Sequence, residues 1–270
     1  MTRLLTAAFL IPSAWYLCKR APFPVFLAAA VLLAAVGAWE CSTILRRRGS
    51  KPFVWLAVCA SLGVVGVFAL PAPFTAAVAI LTGAAIVTPL LAMWCRRTPE
   101  AMLDAATTTI FPVVFVGLPF AYVVGLRSVP GENGSDLLLL AMLCVTLSDT
   151  GAYYVGSAFG VHPMAPVISP KKTWEGAAGG ILGSVIAALI AHFWFFQRLP
   201  LVHALVLGVL LCAAGIVGDL AESALKRSAG VKDSSALLPG HGGVLDRVDS
   251  LLVAAPVLYY YWIAFLAGSY

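Results

Sequence analysis

The sequence predicts an all-α, polytopic integral membrane protein with about nine transmembrane helices and a cytoplasmic N-terminus. Three observations carry that reading. Of the 270 residues, 61% are hydrophobic and only 11% are charged, with a mean hydropathy of +0.96; a soluble domain carries roughly 25% charged residues. Apolar stretches close to the ~20 residues that cross a hydrocarbon core recur along the whole chain. Lysine and arginine alternate in density between successive connections, as a positive-inside layout requires. The composition is also opposite to that of disordered chains, which combine low hydrophobicity with high charge.

Apolar runs bounded by charges, proline or glycine place the helices at 4–18, 23–45, 52–70, 74–95, 105–126, 137–158, 176–196, 201–225 and 248–268. The first resembles a signal peptide, with Arg3 ahead of an apolar run to Cys18. A second long apolar stretch follows almost at once, so the segment is expected to stay as a retained first span. The fifth contains Pro112 and Pro119 and the run Thr107-Thr108-Thr109, which predict a kink. With the N-terminus inside, the cytoplasmic segments hold 13 basic residues and the outer ones 4, namely Lys19, Arg20, Arg127 and Arg198. Three regions follow: 1–104, N-terminal transmembrane helices; 105–136, the kinked helix and an outer loop; and 137–270, a membrane-embedded catalytic domain. The six cysteines are scattered without a CxxC pair and read as small buried hydrophobes. Gly176, Gly179, Gly180 and Gly183 meet GxxxG spacing, which favours close helix packing over a dimer seam.

Ionisable groups inside spans are costly and mark functional sites by default. Asp149 in the sixth helix, Asp219 and Glu222 in the eighth and Asp249 at the start of the ninth all fall toward the inner half of the membrane, and so predict one cytoplasm-facing polar cavity. Glu40, near the inner end of the second span, has a simpler reading as a carboxylate that reaches the interface. In the eighth helix Asp219, Glu222, Ser223 and Lys226 stand at i, i+3, i+4 and i+7, on one face. The chain then passes through Arg227, Lys232 and Asp233 to His241-Gly242-Gly243 and Asp246-Arg247-Val248-Asp249.

Carboxylates crowded near lipid repel one another unless a cation joins them, and oxygen donors without cysteine or paired histidine suit Mg²⁺ rather than zinc. The interleaved lysines and arginines match phosphate oxygens. The glycine pair lets backbone approach a ligand closely. Together these describe phosphoryl or nucleotidyl transfer. Taken alone the same run also reads as a solvated, mixed-charge loop; Asp219 and Glu222 within an apolar helix favour function.

A second polar stretch runs from Asp149, with Tyr153 one turn later on the same face, to Ser169-Pro170-Lys171-Lys172-Thr173-Trp174-Glu175. Its hydroxyls, ammonium groups and helix N-terminal amides can hold an anion. Equally, Thr173 can simply cap the seventh helix while Lys171 and Lys172 follow the positive-inside rule. His162 is a loop residue with no evident partner. P-loop, GxGxxG, HExxH and GxSxG patterns are absent.

The run from Ser223 through Lys226-Arg227, Lys232-Asp233, His241-Gly242-Gly243 and Asp246-Arg247-Val248-Asp249 resembles the signature of phosphatidate cytidylyltransferases, the CDP-diacylglycerol synthases, and meets every fixed position of it. The stretch 169–176 and the Asp149/Tyr153 segment are also similar to that family. The strong resemblance covers roughly 145–250; the N-terminal half matches only as hydrophobic spans. It implies a polytopic helical enzyme of a cell (inner or plasma) membrane, forming homodimers among membrane lipids and acting in phospholipid biosynthesis. The implied reaction is CTP plus phosphatidate giving CDP-diacylglycerol and pyrophosphate, with Mg²⁺ required and K⁺ as an accessory cation. By motif, Asp219, Asp246 and Asp249 are the implied metal carboxylates, and Lys226, Arg227, Lys232 and Arg247 the implied phosphate holders. Asp149, Ser169, Lys172, Thr173 and Glu175 complete the implied pocket, with Ser223, Asp233, His241, Gly242, Gly243, Tyr153 and Lys171 as further substrate-binding candidates. The competing readings are an ion-coupled transporter using Asp149 and Asp219, and a related CTP-using lipid enzyme. Nucleic acid is not an expected partner.

Overall fold

The computed structural model describes residues 12–70, 74–237 and 242–268. Its helices are α1 (Phe23–Arg47), α2 (Val54–Ala69), α3 (Phe74–Cys95), α4 (Pro99–Pro112), α5 (Leu118–Arg127), α6 (Asn133–Phe159), α7 (Trp174–Trp194), α8 (Leu201–Ser228) and α9 (Leu245–Tyr261). Residues 12–19 are also helical; the rest of the predicted first span lies outside the described residues. Among the described residues, seven helical stretches are long and apolar enough to cross a membrane, and Val54–Ala69 is a shorter apolar helix. The protein is an all-α, multi-pass membrane protein. The one addition to the expected helices is a two-stranded antiparallel hairpin, β1 (Pro163–Ala165) and β2 (Ser169–Thr173), in the connection from α6 to α7.

The helix ends follow local chemistry. The predicted fifth helix begins six residues earlier than its apolar run, because Thr98 is an N-cap whose hydroxyl accepts from the Ala101 amide at 3.3 Å, with Pro99 and Glu100 in the first turn. The same helix passes through a π-helical segment, Val113–Gly117, directly after Pro112 and before α5. Proline lacks the N–H that the regular ladder needs, and a wider turn accommodates the loss. Thr107, Thr108 and Thr109 each return their hydroxyl to a carbonyl three or four residues back, so no hydroxyl of the run reaches lipid unsatisfied. Large apolar side chains face outward on most helices, as lipid permits and water does not; Trp94 is 90% exposed.

The chain packs as two compact units. One contains the described residues up to Ser128 together with Leu225–Val248. Here α1 meets α2 through Ala38, Val54 and Val58, and Gly37 faces Val116. Ser50 and the Lys51 amide bind the Asp104 carboxylate at 2.7 and 3.3 Å, which ties the α1–α2 connection to α4. The other unit contains Val129–Ala224 and the described residues from Asp249 onward. Its centre is a glycine seam between α6 and α7. A Cβ on Gly179 would stand 2.5 Å from the Cβ of Val155, and one on Gly176 3.0 Å from the Ala152 carbonyl oxygen. Backbones this close give dispersion contact between helices, which drives association where lipid removes the hydrophobic term. The GxxxG spacing thus serves close packing within the chain. All six cysteines are free thiols, and Cys18, Cys41, Cys144 and Cys212 are buried; Cys59 and Cys95 are exposed, against the expectation for all six.

The seam makes a testable demand. Gly179→Leu is expected to destabilise the protein by about 1–3 kcal/mol through overpacking, read as a lower thermal midpoint of the detergent-solubilised chain. Gly66→Ala, with no heavy atom within 4 Å of the added carbon, is expected to leave the midpoint unchanged or raised.

Candidate active site

The two regions of intramembrane charge fold into two clusters, one in each unit. In the unit built on the α6–α7 seam, Asp219 and Glu222 of α8 and Asp249 of α9 bring carboxylate oxygens within 4.8 Å of one another. Glu222 is fully buried and the two aspartates are half-buried. Gly218 makes this convergence possible. A Cβ there would collide with the Asp249 carbonyl oxygen and come within 3.2 Å of the Ser250 Cα, so only glycine lets the two backbones approach at this level. Asp219 is held further by Lys172, whose Nζ lies 2.6 Å from Oδ2, and by the Ser223 hydroxyl at 3.2 Å, one helical turn away. Asp149 lies within electrostatic reach of both Asp219 and Lys172. Two of the three carboxylates implied for a metal, Asp219 and Asp249, thus stand in one group whose third member is Glu222.

Lys172 reaches this group from β2. Short as it is, the hairpin aims the lysine: β1 and β2 pair Pro163 with Thr173 and Ala165 with Ser169. Thr173 then caps α7, its hydroxyl accepting from the Gly176 amide at 3.1 Å. Glu175 is engaged locally. Its carboxylate lies 2.5 Å from Nδ1 of His162 and accepts the Val161 and His162 amides at 3.1 and 3.2 Å. This corrects the expectation that His162 lacks a partner, and it gives Glu175 the task of closing the loop onto α7. Ser169 is half-buried, whereas Lys171, Tyr153 and Asp149 are exposed.

The second cluster lies in the other unit, around the start of α9. Asp246 receives Lys226 Nζ on Oδ1 at 2.6 Å; its Oδ2 accepts from the Ser234 amide at 2.9 Å, the Ser234 hydroxyl at 2.8 Å and the Gly243 amide at 2.8 Å. The lysine and aspartate side chains are only 12% and 6% exposed, so this ion pair is shielded from bulk water. Reaching back to the Gly243 amide, Asp246 satisfies one of the donors that a helix start leaves open.

Glu40 enters the same cluster from α1. It is fully buried among protein groups, where the simpler reading has it reaching outward. Its oxygens accept from the Ser234 and Ser235 hydroxyls at 3.2 and 2.5 Å and from the Val244 and Leu245 amides at 3.1 and 2.7 Å. The glycine pair is explained by these carboxylates. Gly242 has φ +79°, and a Cβ on it would sit 2.6 Å from Asp246 Oδ2, while a Cβ on Gly243 would strike the Ser234 hydroxyl and the Glu40 carboxylate. Arg227, Lys232, Asp233 and Arg247 are exposed on the same stretch, with Arg227 donating to the Val231 carbonyl at 3.1 Å. The His241 assignment lies outside the described residues.

Sequence reasoning missed Gly218, Ser234 and Ser235 and undervalued Glu40. A glycine directly before an intramembrane aspartate was the available signal for the first. For the others no local pattern exists, since the partners are about two hundred positions apart.

Comparisons with known proteins give this geometry its chemical context. A model of the cytidylyltransferase family matches residues 1–265. The phosphatidate cytidylyltransferase of Mycobacterium bovis is 43% identical over 157 residues, 58% of this chain and 50% of that protein. That of Staphylococcus saprophyticus is 42% identical over 158 residues, covering 58% and 59% of the two chains. The Haemophilus influenzae phosphatidate cytidylyltransferase is 40% identical over 184 residues, covering 64% and 61%. The matched stretch spans about half to three-fifths of the length of these relatives. With nearly its whole length matched by the family model, the chain belongs to the cytidylyltransferase family.

Proposed function

We propose that this chain transfers the cytidylyl group of CTP to phosphatidate, giving CDP-diacylglycerol and pyrophosphate. The observation that carries the reading is the convergence of Asp219, Glu222 and Asp249 within 4.8 Å, flanked by Lys172, in a membrane-spanning member of the cytidylyltransferase family. The relatives' names supply the lipid substrate by similarity.

The carboxylate group fits Mg²⁺. Mg²⁺ takes oxygen ligands, carboxylates among them, and oxygens of three carboxylates lie within 4.8 Å of one another here. Asp219, Glu222 and Asp249 would hold the ion, which when bound supplies charge neutralisation at the reacting phosphates. In the same unit Lys171 and Lys172 from the hairpin supply cationic donors for phosphate oxygens; Arg227, Lys232 and Arg247, exposed on the signature stretch, offer the same chemistry in the other unit. In the reaction an oxygen of the phosphatidate phosphate attacks the α-phosphorus of CTP. The bond from that phosphorus to the oxygen bridging the β-phosphate breaks, and pyrophosphate leaves with its electron pair. A phosphate monoester is already nucleophilic, so the residues need to bind and orient rather than remove a proton. CTP is water-soluble and phosphatidate lies in the bilayer, which requires the site to open at the cytoplasmic face of the cell membrane. K⁺ as an accessory ion and a homodimer belong to the same reading. The transporter alternative finds no support in the comparisons.

The direct test is the purified full chain in detergent with labelled CTP, phosphatidate and Mg²⁺. A CDP-lipid and pyrophosphate in equal amounts are expected; CTP-independent solute uptake into vesicles, with no such product, would overturn the reading. Asp219→Asn and Asp249→Asn are each expected to lower turnover by about 100-fold or more, and Glu222→Gln to raise the Mg²⁺ concentration needed for half-maximal rate. Near-normal turnover in Asp246→Asn would remove that carboxylate from the reaction. Lys226→Met strands a buried carboxylate and is expected to cost about 3–5 kcal/mol of stability; combining it with Asp246→Asn should recover part of the lost thermal midpoint.

A further inference from the structure

Glu40 is a carboxylate in α1, a helix whose remaining residues from Phe23 to Cys41 are uncharged, and it is fully buried. Such a group is tolerated only where donors replace the water it has lost. An ionised carboxylate offers about four acceptor sites. Here the donors are the Ser234 and Ser235 hydroxyls and the Val244 and Leu245 amides. All four come from one short segment, 194 to 205 positions away in sequence. The two amides stand where α9 begins, and its first N–H groups have no carbonyl partner within the helix. A negative charge at that end also meets the positive end of the helix dipole.

Ser234 joins this carboxylate to the next one. Its single hydroxyl proton faces Asp246 Oδ2 at 2.8 Å and Glu40 Oε2 at 3.2 Å, while its amide donates to Asp246. The stretches 231–237 and 242–245 are therefore each pinned: the first at Ser234 and Ser235 just after Lys232 and Asp233, the second at Gly243 to Leu245 just before Asp246. We propose that Glu40 is a positioning residue, a buried clamp contributed by α1 that fixes the signature stretches 231–237 and 242–245 and so sets the placement of Lys232, Gly242-Gly243 and Asp246. Glu40 touches no substrate in this assignment and acts through the loop. The clamp stands on its own contacts; its consequence for turnover rests on the cytidylyl-transfer reading.

Hydrogen exchange and kinetics on the full-length protein in detergent test both parts. Glu40→Gln keeps the side chain's size but turns an acceptor oxygen into an NH₂ that faces donors. Amides in 231–237 and 242–245 are expected to exchange about tenfold faster, with exchange in α2, α6 and α7 unchanged. The KM for CTP is expected to rise about tenfold. A general folding defect behaves differently, lowering the amount of active enzyme at constant KM. Glu40→Asp, which retains the charge but is one methylene shorter, should fall between wild type and Glu40→Gln in both readouts. Ser235→Ala removes one donor from the clamp at a site away from the helix core; it is expected to shift the same amides by a few-fold, and it keeps the test available if Glu40→Gln does not fold. Unchanged exchange of 231–237 and 242–245 in either variant overturns the clamp. Faster exchange with an unaltered KM overturns the positioning role. Absence of cytidylyl transfer in the wild-type chain would refute the enzymatic reading and leave the clamp to be decided by exchange alone.

Discussion

Carboxylates placed inside apolar helices are the constraint from which the rest of this structure follows. Removing such a group from water costs several kcal/mol unless charge and hydrogen bonds replace the lost hydration. The chain answers the problem in two ways. Around Asp246 and Glu40 the replacement is internal: one ammonium, hydroxyls and backbone amides fill the oxygens. Around Asp219, Glu222 and Asp249 three carboxylates converge within 4.8 Å, and Lys172 sits on Asp219. Carboxylates crowded this closely repel one another, and a divalent cation relieves that repulsion. The same cost thus produces a rigid cluster in one unit and a candidate ion site in the other.

Glycine is the means by which both clusters are built, for different reasons in each. At Gly218, and at the Gly151–Gly179 contact on the seam, the missing side chain lets backbones approach. At Gly242 the requirement is conformational as well, because φ is +79°, where a β-carbon is strained. At Gly243 it is the room taken by the Glu40 and Ser234 side chains. A glycine pair next to acidic and basic residues suggests backbone close to a ligand, and that was the natural reading of the sequence. The neighbours actually present at these positions are the protein's own carboxylates. The glycine requirement of the signature is then met by its internal architecture, before any substrate is considered.

The fold was largely legible because membrane helices announce themselves. A run of about twenty apolar residues has few alternatives in lipid, and the predicted 74–95 coincides with Phe74–Cys95. Boundaries slipped where polar residues still favoured helix, as at Thr98-Pro99-Glu100, because capping chemistry extends a helix beyond its apolar core. The hairpin at 163–173 was not anticipated, since two strands of three and five residues leave no period to detect. Site residues were legible where they were anomalous. Asp219, Glu222 and Asp249 stood out as charges in apolar surroundings. Glu40 was equally anomalous, but it lay close enough to a helix end that an interfacial position explained it. Its role depends on contacts with residues roughly two hundred positions away, and no local pattern encodes a pairing of that kind.

This has a consequence for how the N-terminal helices are understood. The alignments with the curated relatives cover 58–64% of this chain, whereas the family model runs from residue 1 to 265. Spans that contribute only apolar surface would be expected to act as a scaffold, interchangeable with other apolar helices of the same length. Glu40 argues otherwise. It places one acidic side chain of α1 against the stretch that carries the most recognisable motif of the chain, where two hydroxyls and two amides donate to it. An apolar replacement for α1 of equal length would keep the span and leave the Val244 and Leu245 amides and two serine hydroxyls without their acceptor. The N-terminal unit is thereby tied to the chemistry of the signature through a specific carboxylate, and the information that links them is carried by one residue in a helix that is otherwise almost entirely hydrophobic.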